Sequence, residues 1–109
     1  MSVFNETKID IYQRNVIKMA KAKGYFSYYL TVKFEKEITF KIARSFMIIK
    51  TIEHIGEIIM TDPPMNVVES GDLGHKLSLV VVSKQSKSEV LHRMNKISEI
   101  IEVQVQLID

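Results

Sequence analysis

The hydrophobic repeat of this 109-residue chain changes period along its length, and the order of the changes leaves few folds open. From about Thr7 to Lys23, apolar residues at Ile9, Tyr12, Val16, Met19 and Ala20 follow helical spacing, opposite a charged side. Asn5 or Thr7 is placed to cap its start, and Gly24 supplies a left-handed stop. Ser27 to Glu35 then alternates Tyr28, Leu30, Val32 and Phe34 against Tyr29, Thr31, Lys33 and Glu35, which is strand spacing. Phe40 to Ile55 returns to helical spacing and ends at Gly56. Its core side is read as Ile42, Ser45, Ile48, Ile49, Ile52 and Ile55. Glu57 to Thr61 predicts a short strand.

A loop from Thr61 to His75 holds both prolines, Pro63 and Pro64, and one short turn near Val67 to Glu69. The run Leu77-Ser78-Leu79-Val80-Val81-Val82 is nearly all apolar, as a strand covered on both faces would be. Ser86 or Ser88 caps a helix reaching about Ser98, with Val90, Leu91, Met94 and Ile97 facing inward. Ile101, Val103, Val105 and Leu107 alternate with Glu102, Gln104 and Gln106 in a last strand. After the leading helix, the order is β-α-β-β-α-β. Two split βαβ units in one antiparallel sheet make an α+β, ferredoxin-like sandwich, a four-stranded sheet with both main helices on one face. The leading amphipathic helix has no place in that plan. Its stripe needs another surface: the opposite face, an edge or a linker. The expected division is 1–24 for this segment and 25–109 for the domain.

Composition narrows the chemistry. With 46% hydrophobic residues and a net charge of only +2, the chain is expected to fold as one domain. No apolar window approaches a membrane span, and the start lacks a basic stretch followed by an apolar run. With no cysteine, thiol catalysis and cysteine-ligated metals are excluded, and a cytoplasmic setting is expected. None of the three histidines, His54, His75 and His92, is paired at helical spacing with another ligand, so no metal is expected. Nucleotide-binding glycine loops and the nucleophile-elbow pattern are missing, so neither catalysis nor a cofactor is expected. Paired carboxylates such as Glu99 and Glu102 read as exposed neighbours. Asn5-Glu6-Thr7 reads as a chance match to a glycosylation acceptor.

Other users of this topology fit less well. RNA-binding sheets present aromatics from their two middle strands, and Leu77–Val82 has none, so no nucleic acid is expected. A ligand-sensing domain of the ACT kind, which binds an amino acid, would favour a glycine turn after the first strand. This chain has Glu35-Lys36-Glu37-Ile38-Thr39 there. What remains is the outer side of the Phe40–Ile55 helix. Phe46 and Met47 project among Ala43, Lys50 and His54, a small apolar patch with a charged rim that suits transient protein recognition.

Several stretches carry a resemblance. Lys41 to Ile59, with its Ala43-Arg44-Ser45-Phe46-Met47 run and Gly56-Glu57-Ile58-Ile59 strand, continues into Thr61-Asp62-Pro63-Pro64. With Lys23-Gly24-Tyr25, Tyr28 to Val32, and Ile97-Ser98-Glu99-Ile100, these resemble the response-regulator-binding domain of the CheA family of chemotaxis histidine kinases. The form is that of Gram-positive bacteria, Thermotoga and archaea. The Val67–Asp72 loop departs from it in being less acidic than in many relatives. The resemblance implies a non-catalytic, monomeric docking module for the response regulator CheY within a dimeric cytoplasmic kinase. It also implies a docking face of Met47 and His54 with Ala43, Phe46 and Lys50 as neighbours, joined on the second helix by Asn95 and Lys96.

Overall fold

The computed structural model describes residues 9–35, 41–70, 74, 76–97 and 100–108. In chain order the elements are α1 (Ile11–Ala22), β1 (Phe26–Phe34), α2 (Lys41–Ile55), β2 (Gly56–Asp62), α3 (Met65–Ser70), β3 (Lys76–Ser83), α4 (Lys87–Met94) and β4 (Ile100–Ile108). The expected caps at Asn5 and Thr7, the Asn5-Glu6-Thr7 triplet, Phe40, His75 and Ser98 lie outside the described residues.

Strand alternation builds the sheet. Tyr28, Leu30, Val32 and Phe34 turn to one face, while Ser27, Tyr29 and Thr31 turn to the other. β1 pairs antiparallel with β3 on one side and β4 on the other, and β2 pairs antiparallel with β3. The strand order is therefore β2-β3-β1-β4. The apolar run of β3 sits centrally, with Leu77, Leu79 and Val81 on one face and Val80 on the other, all fully covered. This is the expected sandwich. Two irregularities adjust the edges. In β2 the register shifts between Ile58 and Met60, so Ile59 is the extra residue. In β4 the shift falls opposite Lys33 and Phe34, so Ile100 packs on the core and Ile101 is exposed. Ile101 was expected in the inward set, as was Leu107. Ile101 is displaced by the bulge, and Leu107 lies near the end of an edge strand with no neighbour beyond it.

One face carries the main core. Ile48, Ile52 and Ile55 of α2, Val68 of α3, and Val90 and Met94 of α4 close over it. α2 runs into β2 without a loop, and Gly56 makes this possible. A Cβ at Gly56 would collide with the Val82 carbonyl of β3. The junction is fastened by Ser83, whose buried hydroxyl donates to the Ile55 carbonyl. Ser86 caps α4, its Oγ accepting the Glu89 N–H at 3.2 Å. α4 ends at Met94, short of the expected end. Ile97 still reaches the core from beyond the helix.

The opposite face carries α1. The cap is Asp10, part of a reciprocal box: its Oδ1 accepts the Gln13 N–H at 2.7 Å, and Gln13 Oε1 accepts the Asp10 N–H at 3.0 Å. At the other end Gly24 takes φ +89, while the Tyr25 N–H reaches back to the Ala20 carbonyl at 2.9 Å. Ile9 and Ile17 pack on Tyr29 and Val80, and Gln13 Nε2 donates to the Ile59 carbonyl of β2 at 3.4 Å. The buried stripe is thus Ile9 and Ile17, flanked by half-buried Gln13 and Ala20. Tyr12, Val16 and Met19 were expected on it but are exposed. At 100° per residue they point about 100° (Val16) to about 160° (Met19) away from Ile17, which is the residue that packs with Tyr29.

Candidate functional site

α2 owes its outward surface to its inward one. With Ser45, Ile48, Ile52 and Ile55 held in the core, helical geometry turns Ala43, Phe46, Lys50, Glu53 and His54 to solvent. Met47 lies at the margin, 39% exposed, against 60% for Phe46. Every residue expected on the docking face is exposed: Ala43, Phe46, Met47, Lys50, His54, and beyond the last turn of α4, Asn95 and Lys96.

They do not form one cluster. β1 and β2 both run opposite to β3, so α2 and α4, which follow β1 and β3, run antiparallel. Asn95 and Lys96 therefore lie toward the N-terminal end of α2. His54 lies at the far end, about 16 Å along the axis from Ala43. The outer surface of α2 also divides lengthwise. Arg44 Nη1 contacts Met47 Sδ at 3.4 Å on one flank. On the other flank Phe46 leans toward α3. There Lys50 Nζ sits 5.4 Å from the Phe46 ring centroid and 3.6 Å from Glu53 Oε1.

Ile42 differs from expectation. Its spacing predicts a core position, but it is 59% exposed. It stands at the start of α2, on the outer margin of the side that faces α3. With Phe46 and Ile49 it lines a groove of about 400 Å³ whose opposite wall is Met65 and Val68 of α3. Met65 was not anticipated as a site residue. Its signal was legible, because Pro63-Pro64 followed by Met65 and Val68 at three-residue spacing marks a short helix with one apolar side.

Elsewhere the chemistry is structural. The Tyr28 hydroxyl donates to the Gln85 carbonyl at 2.6 Å, tying β1 to the turn before α4, and burial raises its pKa. The Glu89 carboxylate accepts from Arg93 Nε at 2.9 Å, and that bond lowers its pKa. Among the described residues no three metal-ligating side chains converge, and no helix is long and apolar enough to cross a membrane.

A CheA chemotaxis protein of Bacillus subtilis is 26% identical over 101 residues, covering 93% of this chain. The chain spans only 15% of that protein's length. The solved P2 domain of the CheA kinase from Thermotoga maritima, determined in complex with the response regulator CheY, superposes with a TM-score of 0.75 at 20% identity. The match covers 78% of this chain and the whole of that one. The sequence profile of the P2 response regulator binding domain matches residues 27–107, from β1 into β4, and the chain belongs to that family.

Proposed function

We propose that this domain docks the response regulator CheY for a chemotaxis histidine kinase, and that it does so through the outer surface of α2 and the adjoining end of α4. The observation that carries this reading is the exposed Phe46–Met47 pair, set among Ala43, Lys50 and His54 on a helix otherwise committed to the core. The domain contributes no chemistry of its own. Held by a flexible connection near the phosphorylated domain, it raises the local concentration of the regulator toward the millimolar range. Residues 1–24 form the leading segment, residues 25–109 form the docking domain, and the kinase works in the cytoplasm.

Docking of this kind has to be reversible, because the phosphorylated regulator must leave. A small, partly polar interface with about micromolar affinity meets that need. Calorimetric titration with the CheY of the same organism tests it. Met47→Glu places a charge that is solvated in the free domain and desolvated in the complex. It should weaken binding about tenfold to a hundredfold, or about 1–3 kcal/mol, with the melting temperature little changed. Binding equal to wild type would move the interface off α2. Incubation with labelled ATP should leave the chain unlabelled.

A further inference from the structure

The two flanks of α2 are not equivalent as binding surfaces. On the Met47 flank, the sulfur already has the Arg44 guanidinium against it. On the Phe46 flank there is a groove. Ile42, Phe46 and Ile49 form one wall and Met65 and Val68 the other, with Ser45 between them and Lys50, Glu53 and Glu69 at the rim. Ile42 and Phe46 are each more than half exposed although they border this groove, at 59% and 60%. α3 has only six residues, and it covers the base of α2 through Val68 while leaving the groove mouth open.

We infer that the groove between α2 and α3 is the anchor pocket of the docking face, taking one apolar side chain of the response regulator, so that Phe46, Ile42 and Met65 contribute more affinity than Met47 and His54. This rests on the docking function proposed above and goes beyond it in locating the dominant contact. The argument is physical. Binding energy concentrates where an apolar side chain enters a desolvated pocket ringed by polar groups that exclude water. The α2–α3 groove has that form. Lys50 Nζ lies 5.4 Å from the Phe46 ring centroid, so the ring stands beside a cation at the edge of the groove. Among the described residues the rim has two carboxylates, Glu53 and Glu69, against one ammonium, Lys50. The side chain that enters is therefore aromatic or branched aliphatic, with a lysine or arginine of the regulator beside it.

The test uses the full chain and CheY of the same organism, with calorimetric titration of four alanine variants. Phe46→Ala and Ile42→Ala should each weaken binding at least about tenfold, and Met47→Ala about threefold or less. Tyr12→Ala on α1, across the sheet, should bind like wild type. A melting curve for each variant confirms the fold, which exposed positions leave intact. With methyl-labelled methionine, the Met65 resonance should shift on adding CheY more than that of Met47. Glu69→Gln should weaken binding about twofold to threefold and flatten its salt dependence. The proposal is overturned if Met47→Ala costs more than Phe46→Ala and Ile42→Ala while the wild-type chain binds. That pattern would leave docking on α2 in place and put the anchor on the α4 side. If the wild-type chain fails to bind CheY at all, the docking reading falls, and the anchor with it.

Discussion

The two faces of the sheet are closed by unequal means. Among the described residues, fifteen buried apolar ones from six elements and the turn after α4 form one cluster toward α2, α3 and α4. Toward α1, four do: Ile9, Ile17, Tyr29 and Val80. The second face also buries hydroxyls. Ser27, Thr31 and Ser78 lie beneath the surface there, and among the described residues Ser27 Oγ and Thr31 Oγ1 meet no hydrogen-bond partner. Apolar burial contributes roughly 25 cal/mol per Å², and an unpaired buried hydroxyl costs about 1–3 kcal/mol. The α2–α4 face therefore supplies most of the stability, and the α1 face is a smaller added layer, worth about 2–3 kcal/mol. A helix anchored by a large core can expose apolar residues on its outer side without loosening the fold. That is what α2 does at Ile42 and Phe46.

The contrast is most severely tested from the α2 side. Ile48→Glu would bury an unpaired carboxylate in the main cluster, costing more than about 4 kcal/mol, and the domain should unfold. Circular dichroism at neutral pH reads this directly. A folded Ile48→Glu variant would mean the helix is rotated relative to the face described here. Next in size is removal of residues 1–24. Losing Ile9 and Ile17 from Tyr29 and Val80 should lower stability by about 2–3 kcal/mol and reduce the melting temperature, while CheY binding persists. An unchanged melting curve would make α1 a bystander.

Tyr28→Phe probes the tie between β1 and the turn before α4, and should cost about 1 kcal/mol in chemical denaturation near neutral pH. Its pH dependence has a definite sign. Burial raises the folded phenol above its ordinary pKa, so the unfolded chain loses this proton first. Stability is then lost as the pH rises past about 10, and Tyr28→Phe should lose less over that range. The smallest effect tests the α1 face. Thr31→Val replaces an unpartnered hydroxyl with a methyl of similar volume. It should raise stability by about 0.5–1 kcal/mol, seen as a shift of the urea midpoint at constant slope. A loss instead would mean that the hydroxyl is satisfied.

Much of this was legible in the residue pattern, because strand and helix repeats are local. The alternation in β1, the unbroken apolar run of β3 and the Ile48–Ile52–Ile55 series each state which side must leave water. From them follow the order of elements, the central place of β3 and the exposure of Phe46, Met47, Lys50 and His54. Three things were not legible from periodicity. Rotation of α1 depends on which of two adjacent residues, Val16 or Ile17, meets Tyr29. A helical repeat does not separate neighbours when both are apolar. Ile42 has core spacing but stands at the end of α2, where the neighbouring helix no longer covers it, so its exposure depends on the length of α3. Ile101 has strand spacing, but a bulge opposite Lys33 and Phe34 turns it outward. Periodicity describes one element at a time. Packing, register and the reach of a neighbour belong to pairs of elements, and they convert an apolar stripe into either core or binding surface.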